Sequence, residues 1–248
     1  MKRLFAAISL SLLMVGSLPA QEAYQEPPKR ISEIVKTPPT PRLEISPRGE
    51  NALIITSAGL ISITDLSEPL LKLGGIRFHP RSNTLQRLSF VQNVQVLDLK
   101  SQEIKALSLP PDQRWGGPAW SYDGKRIAMC QYGHDKACLW VFDAETGQGR
   151  VIASGVNNLL MTPFHWEGDN EHLLASLIPP DRGQAPAIPE VPAGPQIQET
   201  SGTVSQMRTF PDLLKSPIEE DLFTFYASSQ LARINVVTGQ QELLGKPG

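Results

Sequence analysis

Between Pro118 and Ala153 the chain alternates short apolar runs with turn residues, the pattern of half-buried strands in an antiparallel meander. Pro118-Ala119-Trp120 reads as a short strand and Asp123-Gly124 as a tight turn. Arg126 to Gln131, Ala137 to Asp143 and Arg150 to Ala153 follow as three further strands. Glu145-Thr146-Gly147 closes the last hairpin, where a glycine takes positive φ without steric cost. This predicts one four-stranded unit.

Parts of that unit recur on both sides. Its first turn, WSYDGK from Trp120, is matched by ISPRGE from Ile45 and WEGDNE from Trp166. Its last hairpin, DAETGQGRVI from Asp143, is matched by DLKSQEIKAL from Asp98 and NVVTGQQELL from Asn235. First turn to last hairpin takes 23 residues in the second unit, 53 in the first and 69 in the third, so the outer units carry insertions of 30 and 46 residues. Both fall between the second and third strands and are expected to decorate one face.

Four-stranded units of about 45 residues are the size of propeller blades. The expected fold class is therefore all-β: an incomplete β-propeller of about three four-stranded blades with two long insertions and a short helix. Blade 1 is placed at about 42–109 with an insertion at 58–92, blade 2 at 117–154, and blade 3 at 162–245 with a Pro-rich insertion at 179–220. Propellers need roughly four to eight blades to bury their edges, so residues 42–248 are expected to be part of a larger, truncated protein. Six prolines from Pro179 to Pro195 predict an extended segment. Ser216-Pro217-Ile218-Glu219 has capping-box order and predicts a helix from Pro217 toward Phe223, packed on a blade edge.

The first 20 residues change the picture of where the chain works. Lys2 and Arg3 precede an apolar run from Leu4 to Leu18, with small residues near Ala20, the layout of a cleaved signal peptide. At 15 residues the run is short for a bilayer span, which needs about 20. A Pro-rich segment, 21–41, follows, and the chain is expected to be periplasmic or secreted. Losing Lys2 and Arg3 moves the formal charge from −2 to −4, which gives no electrostatic reason for a nucleic-acid partner, or for a membrane partner after leader cleavage.

The two cysteines, Cys130 and Cys138, would be exported into an oxidising compartment and invite a disulfide. A three-residue loop at Gly133-His134-Asp135 sets them directly opposite each other. A four-residue loop shifts the register and aims the thiols at opposite faces. No second ligand pair stands at finger-like spacing, so no metal is expected, and nothing calls for a cofactor. His165, Asp169 and His172 cluster near the first turn of unit three but match no mechanistic spacing, while His79 and His134 have no evident partner.

Four unusual segments narrow the field. YQEPPKRISEIVKTPPTP (Tyr24 to Pro41), GIRFHPRSN (Gly75 to Asn83), VPAGPQIQETSG (Val191 to Gly202) and RTFPDLLKSPIEEDLF (Arg208 to Phe223) together resemble the N-terminal region of the glutamyl-endopeptidase type of prolyl oligopeptidase, serine peptidases of family S9. The resemblance implies a propeller that restricts access to an α/β-hydrolase domain carrying a Ser, Asp, His triad. No G-x-S-x-G elbow occurs in these 248 residues, so no catalytic residue is assigned and the chain alone is expected to be inactive. The implied partner is a peptide or protein substrate, met together with a catalytic domain that these residues lack. Selectivity for glutamate calls for positive charge, and the resemblance makes Arg77, Arg81 and Arg87 candidate substrate-binding residues. The competing reading is a stand-alone periplasmic propeller-like module that binds proteins.

Overall fold

The structure, a computed structural model, describes residues 27–188, 202 and 212–248. The expected leader and most of the proline-rich span after Ile188 lie outside the described residues. The chain forms two compact units, Met1–Thr37 and Pro38–Gly248. In the first, Lys29–Lys36 form a helix (α1) that the proline content of 21–41 does not announce. Pro28 stands just before it, where the missing N–H costs nothing, and Ile31, Ile34 and Val35 share one side.

The second unit is an all-β fold of three propeller-type blades. Blade 1 begins with β1 (Arg42–Ile45) and β2 (Asn51–Ser57). The chain then leaves the blade for α2 (Ile63–Ser67) and a small sheet of β3 (Leu71–Leu73), β4 (Ile76–His79) and β5 (Thr84–Leu85). It returns as β6 (Val91–Asp98) and β7 (Ile104–Ala106). Blade 2 follows with β8 (Arg114–Trp115), β9 (Ala119–Trp120), β10 (Arg126–Tyr132), β11 (Ala137–Asp143) and β12 (Gly149–Ser154). Blade 3 comprises β13 (Phe164–Trp166) and β14 (His172–Leu177), then α3 (Pro217–Ala227) within its insertion, then β15 (Gln230–Asn235) and β16 (Gln241–Leu244). All pairings are antiparallel, and a single Val91↔Trp115 bridge joins the sheets of blades 1 and 2.

The repeated sequence becomes repeated turn chemistry. In the first turn, Gly49 and Gly124 donate to the carbonyls of Ser46 and Ser121 at 2.9 Å, and Asn170 donates to that of Glu167 at 3.1 Å. All three turn donors have positive φ, at 71°, 69° and 61°. Asn170 manages this because a short polar side chain tolerates the left-handed region better than most.

Two hydrophobic cores fill the gaps between blades. Leu53, Val94, Trp115, Ile127, Met129 and Phe142 pack between blades 1 and 2; Leu139, Val156, Leu173, Ala175 and Ile234 pack between blades 2 and 3. Alternation along β10 and β11 feeds both, since neighbouring residues point to opposite faces. Burying a side chain such as Phe142 stabilises by roughly 2–3 kcal/mol. The paired tryptophans tie the blades through the backbone. Trp120 Nε1 reaches the Glu44 carbonyl at 3.5 Å, and Trp166 Nε1 donates to the Ala119 carbonyl at 3.0 Å.

The two insertions build a third core. Leu73 and Phe78 from the first meet Leu222 and Tyr226 of α3 and Leu159. Ser216 caps α3, accepting from Glu219 N, as the capping-box order predicts. The helix runs further than expected and packs on the ribbon β3–β5 instead of a blade edge, because its buried positions Leu222 and Tyr226 find a ready apolar face at Phe78, 5.1 Å from Tyr226 ring to ring. Gly74, at φ 59°, permits the approach: a Cβ there would lie 2.5 Å from the Phe223 ring. Asn83, fully buried, and Asn157 both donate to the Tyr226 carbonyl at 3.0 Å, and Arg182 donates to Asn83 at 2.7 Å while covering the Phe225 ring. The two insertions thus become one lobe.

Candidate functional site

The three arginines of the first insertion meet different partners. Arg77, on β4, donates to Asp212 at 3.1 Å, an ion pair that closes the lobe on itself. Arg81 pairs with Asp135 in the β10–β11 loop, with both side chains largely in water. Exposed pairs of this kind add little to stability. Arg87 has no carboxylate partner among the described residues. Its guanidinium lies 4.7 Å over the Tyr132 ring, and its Nε is buried without an acceptor.

Arg87, Gly116 and Gly117 line two adjoining cavities. The larger, about 380 Å³, is walled by Trp120, Tyr132 and Trp166, with His165 at its edge. The smaller, about 170 Å³, is bordered by Arg42, Ser57, Ser89 and Trp115, whose buried indole N–H also lacks an acceptor. Neither cavity is lined by an Asp or Glu among the described residues. A wider cleft of about 500 Å³ near the turns of blades 1 and 2 is the opposite case: Glu50, Asp98, Glu103, Asp123, Asp143 and Glu145 outnumber three basic residues there. An acidic ligand is repelled from that cleft and attracted by Arg87.

The thiols correct the three-residue-loop alternative. The β10–β11 connection spans Gly133 to Lys136, so Cys130 stands opposite Leu139 and Cys138 opposite Gln131. One register step sends adjacent side chains to opposite faces, and no Cys130–Cys138 disulfide forms: both are free and buried. Burial pushes the Cys130 thiol up to about 12 against the nearby charge of Arg87, which leaves it inert. Burial likewise takes the Tyr132 hydroxyl to about 12.

The histidines divide between two charge clusters. His79 lies 3.2 Å from Glu68 Oε2 but off hydrogen-bond alignment, and His134 approaches the other carboxylate oxygen. Arg114 binds Asp65 at 3.0 Å and Glu68 at 3.2 Å. Burial opposes the Glu68 charge, but the hydrogen bond and charge of Arg114, with His134, outweigh it and hold the carboxyl below its ordinary range. Burial, helped by Arg114, pushes His79 below its usual value despite Glu68, so the His79 contact is that of a neutral ring. This cluster fastens the first insertion to blade 2. In blade 3, His172 Nδ1 meets Asp169 at 2.7 Å, while His165 stays apart and exposed. Glu167, which no spacing in the sequence singles out, completes the group in place of His165: Glu167, Asp169 and His172 are close enough to share a cation. Arg233 already supplies that positive charge, gripping Glu167 through Nε at 2.9 Å and Nη2 at 2.8 Å and Asp169 at 3.1 Å.

No protein-family model matches the chain. A probable chloroplastic glutamyl endopeptidase of Arabidopsis thaliana is 37% identical over 222 residues, 84% of this chain and 23% of that protein. The corresponding protein of Oryza sativa subsp. japonica is 36% identical over 228 residues, 86% of this chain and 24% of that protein. Among solved structures, the acylaminoacyl peptidase of Pyrococcus horikoshii aligns with 85% of this chain and 25% of its own at 15% identity and a TM-score of 0.44. The β-propeller domain of the Trilobed protease of Pyrococcus furiosus aligns with 85% of this chain and 45% of its own at 12% identity and a TM-score of 0.40. The chain spans about a quarter of the length of the curated relatives it matches.

Proposed function

Since the chain belongs to the glutamyl-endopeptidase type of S9 serine peptidases over the segment that it shares with them, we propose that it supplies the propeller portion of an exported endopeptidase, selecting and admitting peptides but cutting none itself. The observation that carries this is the 37% identity with a glutamyl endopeptidase across 84% of the chain, in a fold of propeller-type blades. Acyl transfer needs a nucleophile, a base and oxyanion donors within hydrogen-bond reach. The sequence of 248 residues holds no nucleophile elbow to start from. In this reading the blades stand at the entrance to a hydrolase domain encoded further along, and the lobe built from both insertions narrows that entrance. The basic and apolar leader at Lys2 to Ala20 supports export, with the mature protein beginning near Gln21 in the periplasm or outside the cell.

The test is the nucleotide sequence beyond codon 248, followed by expression of the longer frame. That product is expected to contain further blades and a G-x-S-x-G elbow, to react with a serine-directed fluorophosphonate and to cleave a fluorogenic peptide after glutamate. The chain ending at Gly248 is expected neither to react nor to cleave. A natural stop followed by an unrelated gene, or cleavage and stoichiometric labelling by the short chain, would overturn the proposal.

A further inference from the structure

The first insertion touches the β10–β11 loop of blade 2 through two pairs of side chains. Arg81 meets Asp135, two charges that cancel, and Glu68 meets His134. Around the second pair the charges do not balance. Asp65 and Glu68 bring two carboxylates against the single guanidinium of Arg114, which binds both. All three side chains are only 16 to 21% exposed, so the surplus negative charge sits where salt and water screen it poorly. Two histidines stand at the two oxygens of Glu68, His79 at Oε2 and His134 at Oε1, and both line a cavity of about 70 Å³ with Pro69, Pro80 and Arg81. They differ in their access to water. Burial and Arg114 hold His79 below its usual value, and its Nδ1 has no aligned partner. The His134 ring is 67% exposed, so little hydration is lost when it charges. Its Nδ1 also lies 3.3 Å from Arg114 Nη2, which places that one nitrogen between a donor and an acceptor. Bare, it accepts from Arg114; in the imidazolium it only donates, and Glu68 is the acceptor beside it. The neutral Nδ1–H tautomer donates as well, but without the charge. Lys136, the other cation of that loop, lies by Cys138 instead.

We propose that His134 and Glu68 form a proton-dependent latch between blade 2 and the first insertion: as pH falls, His134 takes up the one positive charge that the cluster lacks and donates Nδ1–H to Glu68, and as pH rises the loop loses that hold. The latched arrangement binds the proton more tightly than the open one, so by linkage acid favours latching. The contact is already made, and an exposed ring turns its Nδ1–H onto the oxygen within picoseconds to nanoseconds. Although burial opposes its charge, Glu68 is held below its ordinary range by Arg114 and His134, so it is still a carboxylate where a histidine titrates. Only the consequence for peptide entry, a lobe held more firmly in acid, rests on the proposed function.

The experiment is a pH titration of the full ¹⁵N-labelled chain from about pH 5 to about pH 8.5, the range in which histidines change charge, followed at the backbone amides of Glu68 in the insertion and Asp135 in the loop. Both signals are expected to move along one curve with a shared midpoint, which His134→Gln abolishes and His79→Gln leaves in place. In a double-mutant cycle read by urea unfolding, His134→Gln and Glu68→Gln are expected to couple by about threefold in the unfolding constant at about pH 5.5, and by a small fraction of that at about pH 8. Separate midpoints for the two amides, a Glu68 curve that survives His134→Gln, or equal coupling at both pH values would each overturn the latch. Should Glu68→Gln fail to fold, the titration of the unaltered chain against the exposed substitution His134→Gln decides. These readouts need no peptidase activity, so loss of the latch and loss of the proposed function are separate results.

Discussion

Blades 2 and 3 end in the same hairpin, built from Asp143-Ala-Glu-Thr-Gly147 in one and Asn235-Val-Val-Thr-Gly239 in the other. Asp143 Oδ1 accepts from Thr146 N at 2.7 Å and Thr146 Oγ1 at 2.9 Å; Asn235 Oδ1 accepts from Thr238 N at 2.8 Å and Thr238 Oγ1 at 3.1 Å. Gly147 and Gly239 then take φ of 72° and 77° and return their N–H to the first residue's carbonyl. Their surroundings differ. A Cβ on Gly147 would lie 2.5 Å from the Ala106 carbonyl of blade 1, whereas one on Gly239 would meet nothing within 4 Å. Identical local chemistry therefore carries different tertiary duty: the blade 2 turn is also a seam, and the blade 3 turn is only a turn.

The sharpest way to break this comparison is to add the same methyl twice. Gly147→Ala is expected to cost about 3 kcal/mol, combining left-handed strain with overpacking against backbone, and Gly239→Ala about 1 kcal/mol from strain alone. Urea unfolding of the two variants measures both, and equal losses would remove the seam from the account.

The tryptophan contacts sharpen it at the first strand of each blade, near the same turns. Trp166→Phe gives up a well-formed 3.0 Å bond to a partly buried carbonyl, and Trp120→Phe a contact at the 3.5 Å limit. The first is expected to cost about 1–2 kcal/mol and the second about half as much or less. Thermal unfolding of both would reverse the order of the seams if Trp120 proved the more expensive.

Blade 1 supplies the smallest effect. Asp98 begins its last hairpin where blade 3 has Asn235, and backbone hydrogen bonds from Ser101 and Lys100 hold its carboxyl below the ordinary 3.8. A depressed carboxyl stabilises fully above its unfolded value and loses that contribution as pH falls through the folded one. Asp98→Asn, which keeps an acceptor but not the charge, is expected to flatten the acid side of a melting-temperature profile below about pH 4 by lowering stability slightly at neutral pH while leaving the acid end unchanged. An unaltered acid limb would show that the carboxylate charge adds nothing to the turn.

These hairpins were legible in the sequence because each is closed by its own five or six residues: an Asx acceptor, a hydroxyl three places on, and a residue that tolerates positive φ. Gln102 breaks the glycine rule yet sits at φ 62°, held by the same bond to the Asp98 carbonyl. The capping box before α3 was legible for the same reason. Of the candidate site, the sequence and its resemblance offered three arginines without a means of ranking them, since ion pairing to Asp212 and Asp135 spans 135 and 54 residues of chain. His165 looked like a partner for His172 by proximity in sequence, but β13 and β14 place it exposed while Glu167 takes the cluster.

What the sequence determined by itself was the repeat: where strands turn, how many residues each blade takes, and where the two insertions interrupt them. These follow from backbone stereochemistry and side chains acting on near neighbours. The tertiary structure alone decided that the insertions share one core, that a single residue of loop length keeps Cys130 from Cys138, and that of Arg77, Arg81 and Arg87 only Arg87 has no carboxylate partner among the described residues. Each of those depends on which distant surfaces come into contact, and pairing between segments so far apart is set by the packing of the whole fold.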